Sequence, residues 1–144
     1  AFNAGGIVGT LLTVPIATRL GRRPMFVVYF VASAAAIAAT FGLPLAPSAR
    51  LYGMFFVGLT VFGVFGSFTF YLPELYPMRL RGTGAGFSYN AGRVLTALFP
   101  FGVSLSAARG IPPMDIIRWA AVVPLVGVAL VLSGLAPETR VRTP

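Results

Sequence analysis

Cysteine, histidine and lysine are all missing from this chain. Without cysteine there is no disulfide framework, no thiolate metal site and no thiol nucleophile. Without histidine the commonest general base and the commonest metal ligand are gone. Without lysine a phosphate-cradling loop of the G-x-x-x-x-G-K type cannot form. Acids are scarce as well: Glu74, Asp115 and Glu138 stand against eleven arginines, for a net charge of +8. Such a set supplies neither a metal cluster nor a nucleophile–base pair, so no enzyme is expected and no cofactor is implied. A basic balance alone would suit nucleic acid. Here the arginines sit between apolar runs rather than along an amphipathic face, so nucleic acid is not an expected partner.

What remains is overwhelmingly apolar. Of 144 residues, 57% are hydrophobic and only 10% are charged, with a mean hydropathy of +0.87. A soluble domain would carry about 25% charged residues. There is too little polar surface here to coat a globule, so the expected surroundings are a lipid bilayer. Five apolar stretches emerge, at about 1–17, 25–43, 51–72, 84–107 and 116–136. The last four are long enough to cross a hydrocarbon core of about 30 Å, and helices are the form that lipid tolerates. The expected fold is an all-α integral membrane protein of about five transmembrane helices. The apolar character begins at Ala1 with no charged leader before it, so the chain reads as a fragment that starts inside a membrane segment.

The connectors hold the breakers and the charge. They are TRLGRRP, PLAPSAR, PELYPMRLRGT and ARGIPPMD, and PETRVRTP closes the chain. Pro100 and Pro124 fall inside spans and read as kinks rather than ends. Alternating connectors place Arg19, Arg22, Arg23, Arg79, Arg81, Arg140 and Arg142 on one side, and Arg50, Arg109 and Arg118 on the other. Seven against three makes the first side cytoplasmic, with the C-terminus inside. Trp119 and Tyr52 then fall near the outer ends of spans, as an aromatic belt would place them.

The segment YLPELYPMRLRGTGAGFSYNAGR, 71–93, concentrates the chemistry. Glu74, Arg79 and Arg81 crowd one turn. Arg93 is carried into the next apolar run, about nine residues or roughly 13 Å beyond Gly84. A guanidinium at that depth needs a wet cavity, an acid or snorkelling. Its planar fork suits a carboxylate, and Asn90 shares its face at i−3. Pairing with Glu74 at the rim is the other reading. Asn3 and Tyr71 complete the candidate substrate contacts, with Asn3 able instead to bond a neighbouring helix. Gly5 and Gly9 form a G-x-x-x-G pair that points to close helix packing rather than to substrate.

The loop Thr18 to Arg23 resembles the second copy of the major facilitator motif G-x-x-x-D-R-x-G-R-R. Arg19, Gly21, Arg22 and Arg23 fall on its last four fixed positions, and Thr18 stands in place of the acid. Pro73 to Gly84, PELYPMRLRGTG, resembles the connector between spans ten and eleven of sugar-transporter-like and metabolite:proton symporter members. Pro137 to Arg140, PETR, resembles the motif after span twelve. The three occur in order. The resemblance implies the C-terminal part of a major facilitator transporter, from span eight onward, in a cell membrane. It implies alternating access, proton coupling and a small-molecule substrate, either an organic anion or a sugar-like metabolite. The missing N-terminal half would be its partner. It also implies that Glu74, Arg79, Arg81, Glu138 and Arg140 join the basic loop in a cytoplasmic charge cluster, acting as a gate or as a static staple. Two rivals stay open: a membrane remnant or interaction protein without transport activity, and a small four-helix drug exporter. The exporter would want an intramembrane acid for its cations, and no span holds one.

Overall fold

The computed structural model describes residues 1–139, and helix follows helix along them. They are α1 (Phe2–Leu20), α2 (Arg22–Gly42), α3 (Pro47–Glu74), α4 (Arg81–Ala97), α5 (Phe99–Ala108), α6 (Pro113–Trp119) and α7 (Val122–Leu132). A single 3₁₀ turn, Met78–Leu80, leads into α4. No strand occurs among the described residues. Among the described residues four helical runs are long and apolar enough to cross a membrane: Arg22–Gly42, Pro47–Glu74, Met78–Ala108 and Met114–Leu132. These correspond to the four full-length apolar stretches of the sequence. α1, with 19 residues, is diluted by Asn3, Arg19 and its glycines and threonines.

The third and fourth connectors behave unlike one another. The stretch from Gly84 was expected to open the fourth helix, but α4 starts earlier, at Arg81. Gly82, expected in the connector, is thereby taken into the helix along with Gly84 and Gly86. The two long C-terminal runs are each interrupted, at Leu98 and at Ala120–Ala121. A proline follows each interruption, Pro100 and Pro124, and removes the N–H that the carbonyl four residues back would have used.

α3 is the central post. α1 packs along it most closely, and α2 and α4 pack against other parts of it, with α7 laid on α2. The G-x-x-x-G pair explains the closeness. A Cβ on Gly5 would fall onto the Phe55 carbonyl, and one on Gly9 onto the Leu59 carbonyl. Gly58 of α3 answers them, with the Phe2 carbonyl in the same position. The backbones touch because nothing larger than hydrogen separates them.

Where α1, α2 and α3 meet, the buried core is partly polar. Thr13 is fully buried. Its hydroxyl lies 2.8 Å from the Gly9 carbonyl, 3.0 Å from the Gly63 carbonyl and 3.2 Å from the Tyr29 hydroxyl. Tyr29 in turn donates to the Gly9 carbonyl at 3.2 Å. The two hydroxyls thus find their acceptors among each other and the backbone carbonyls of α1 and α3, as a dry interior requires. Met25, Phe26, Tyr71, Val64 and Val131 continue this core toward the basic-loop end, with Phe26 edge-on to Tyr71 at 4.9 Å.

Candidate functional site

One end of the bundle gathers three sequence-distant segments. Gly21 closes α1 and opens α2 at φ +95°, a left-handed conformation that only glycine adopts without strain. The tight turn leaves the first N–H groups of α2 unpaired by the helix. The Glu138 carboxylate fills that place, accepting from Arg22 N at 2.9 Å and from Arg23 N at 3.0 Å. Negative charge at a helix N-terminus is favourable. The Glu138 carboxyl also lies 3.1 Å from where a Cβ on Gly21 would stand, so a side chain there would crowd the cap.

Arg22 then reaches across to Glu74, the last residue of α3. Its Nη2 donates to Oε1 at 2.8 Å and its Nε to Oε2 at 3.2 Å. This is the fork-to-carboxylate geometry that lysine cannot make. The pair is partly screened from solvent, with side chains 17% and 30% exposed. The guanidinium also donates to the Ala17 carbonyl at 3.2 Å and lies over the Phe70 ring at 5.2 Å. Thr139 donates to Glu74 Oε2, Tyr71 donates to the Pro137 carbonyl at 3.0 Å, and Arg23 donates to the Val131 carbonyl at 2.9 Å. The segment 137–139 therefore straps α2 to α3, each of its three residues through a different bond.

Arg79 and Arg81 do not join this cluster. Arg79 is exposed in the 3₁₀ turn, and Arg81 donates from Nε to the Tyr76 carbonyl at 3.3 Å. Arg19 lies exposed in the last turn of α1, where a cation complements the carbonyl end of the helix. Arg140, expected in the same cluster, lies outside the described residues, as does Arg142.

A second site lies between α3 and α4. Arg93 is the middle residue of the Met78–Ala108 run. Counted from Arg81 it lies twelve residues into α4, about 18 Å, deeper than the sequence spacing implied. Its guanidinium lies over the Tyr89 ring at 5.8 Å. It makes no ion pair among the described residues. It borders a cavity of about 230 Å³ with Ser88, Tyr89, Thr96, Phe65 and Phe68. Phe65, Phe68 and Thr96 also border a larger, almost wholly apolar cavity of about 870 Å³ that extends to α2, α5 and α7. A cationic end and an oily chamber thus share a wall.

The four candidate substrate residues are not brought together. Asn90 donates from Nδ2 to the Gly86 carbonyl at 2.8 Å, on its own helix, and does not border the Arg93 cavity. Asn3 borders a separate cavity of about 420 Å³ with Gly6, Thr10 and Phe62. Tyr71 is buried, and its hydroxyl belongs to the strap. Sequence reasoning missed Thr13, Tyr29 and Thr139, along with the bond of 2.6 Å between Tyr76 and Ser88 that ties the α3–α4 turn to α4. Only the helical offset of Thr13 from Gly5 and Gly9, on the same α1 face, hinted at the first of these.

Comparison with known proteins is sparse. No family model matches the chain, and no solved structure matches it. A protein of Cupriavidus pinatubonensis (strain JMP 134 / LMG 1197), named a probable 4-methylmuconolactone transporter, is 29% identical over 138 residues. The match takes in 94% of this chain and 31% of that protein, so the chain spans about a third of its relative's length.

Proposed function

We propose that this chain is part of a secondary active transporter of the major facilitator type. It moves a small organic anion by alternating access, coupled to protons. The observation that carries the reading is the Arg22–Glu74–Glu138 cluster. It is built from the same three segments whose motifs resemble that family, and it joins α1, α2, α3 and the 137–139 strap at one end of the bundle. Exposed or half-buried ion pairs at a bundle rim can break and reform as two halves rock, which suits a gate. The relative's printed name adds support for transport. Proton coupling rests on family analogy, since the carboxylates of the described spans stand at their ends, Glu74 as the last residue of α3 and Asp115 in the first turn of α6.

The anionic cargo rests on Arg93. At the midpoint of an apolar run, with no acid to neutralise it, it would repel a cation and would be left unpaired by a neutral sugar. A carboxylate on the Arg93 fork with an apolar body in the adjoining chamber fits both surfaces. The basic-loop end is assigned to the cytoplasm of a cell membrane by the arginine asymmetry.

Uptake of labelled 4-methylmuconolactone and of simple carboxylates, in cells expressing the full-length protein, tests this reading. Glu74→Gln is expected to cut the rate while membrane insertion is kept. Arg93→Lys is expected to raise the half-saturation constant roughly thirtyfold, for the loss of one bidentate pair worth about 2 kcal/mol. Unaltered kinetics in both variants would remove the gate and the anion site together. Uptake indifferent to a protonophore would remove the coupling alone.

A further inference from the structure

We infer that the hairpin of α5, the turn at 109–112 and α6 is a hinged lid on the apolar chamber, latched to α2 through Arg118. Two helix interruptions form its base. At the first, Pro100 offers no N–H to the Thr96 carbonyl, and the Leu98 N–H turns back to Leu95 O at 3.2 Å. At the second, Pro124 offers none to the Ala120 carbonyl, which takes the Val123 N–H instead, at 3.2 Å. Both joints border the same chamber of about 870 Å³: Leu98 and Phe99 from one, Ala120 and Pro124 from the other. A rotation about the line joining them would move the hairpin as one body and change the width of the chamber.

Within this stretch of the protein the hairpin has few neighbours beyond the joints. Every residue of α5 is exposed or half-buried, and α5 packs on α4 and α6 rather than on the core helices. α6 leans on α2, and its polar tie there is Arg118 Nε donating to the Phe41 carbonyl at 2.9 Å. Phe41 lies in the last turn of α2, where carbonyls have no helical donor. Asp115 aims the guanidinium by holding Nη1 at 2.9 Å. This latch is exposed, so opening it exchanges one hydrogen bond for another and buries no charge. Interrupted helices inside a membrane are tolerated where they border a cavity, which is where these two sit. The lid is a property of this chain's own backbone and does not depend on the cargo proposed above.

This chain has no cysteine, so within it paired spin labels attach only to introduced thiols, and any cysteine elsewhere in the full-length protein is replaced by serine first. Labels at Ser104→Cys and Val31→Cys report hairpin against α2, and labels at Val31→Cys and Tyr52→Cys report the fixed body. The full-length protein in lipid nanodiscs is expected to show two hairpin distances and one body distance. Arg118→Ala should shift the hairpin populations toward the longer distance by about three- to tenfold, the loss of one exposed charge-assisted hydrogen bond. Pro100→Ala combined with Pro124→Ala should merge them into one. A single hairpin distance that Arg118→Ala leaves in place overturns the lid. That variant decides alone if the double proline variant fails to fold.

Discussion

Arg22 serves four partners with one side chain: both Glu74 oxygens, the Ala17 carbonyl and the Phe70 ring face. Lysine could satisfy one of these at a time. Arg22→Lys is therefore expected to destabilise the bundle by about 1–2 kcal/mol, and Arg22→Ala by somewhat more. Unfolding in mixed micelles would show it, and a double-mutant cycle with Glu74→Gln should give a coupling near 1 kcal/mol or above. Additive single effects would mean that the pair is a contact without energetic weight. Glu138 makes a different kind of contact, because it binds backbone rather than a cation. Glu138→Gln keeps one acceptor oxygen and loses the charge, while Glu138→Ala loses both. Losses of a few tenths and about 1 kcal/mol respectively are expected in the same assay. Equal losses would show that charge at the α2 terminus, not acceptance, carries the effect. From sequence, the acids and arginines were visible, but their pairing was not. Arg79 and Arg81 were the near neighbours of Glu74, whereas its partner is 52 residues away.

Among the elements, the α1–α3 contact is the one that a single methyl group can break. Gly9→Ala would place a Cβ on the Leu59 carbonyl, and backbone cannot yield as a side-chain tip can. A loss on the order of 2–3 kcal/mol is expected, although alanine is the better helix former. Gly86→Ala is the internal control, since nothing lies within 4 Å of its would-be Cβ. It should be neutral or stabilising by up to about 1 kcal/mol. Similar effects at both sites, read by the same unfolding assay, would refute the close approach. The G-x-x-x-G spacing made this contact legible, because residues four apart share a helix face. The proline interruptions were legible for the same local reason. The beginning of α4 was not. The sequence placed it at about Gly84, but the helix begins at Arg81, with the Tyr76 ring packed where a Cβ on Gly84 would be.

At the scale of the whole molecule, α3 has 28 residues and is about 42 Å long, so Ser48 and Met78 stand at opposite ends of the bundle. Both are exposed. If the basic-loop end faces the cytoplasm, Ser48→Cys in intact cells should react with an impermeant thiol reagent and Met78→Cys should not. The reverse pattern would invert the proposed orientation and move the Arg22–Glu74 cluster to the outer face. What sequence by itself determined is the class: an all-helical chain whose apolar runs match the length of a bilayer core. Hydropathy, helix length and proline kinks are properties of neighbouring residues, so they can be read without the fold. What only the tertiary structure decided is which polar groups meet. Glu138 caps a helix 116 positions before it, Thr13 and Tyr29 meet where three helices join, and Arg93 borders a cavity between α3 and α4 whose Phe65, Phe68 and Thr96 also border the larger apolar one. The G-x-x-x-G spacing announces that α1 has a close neighbour, but not that the neighbour is α3 or which side chains that approach brings together. Those meetings join residues far apart in the chain, which no local pattern of side chains specifies.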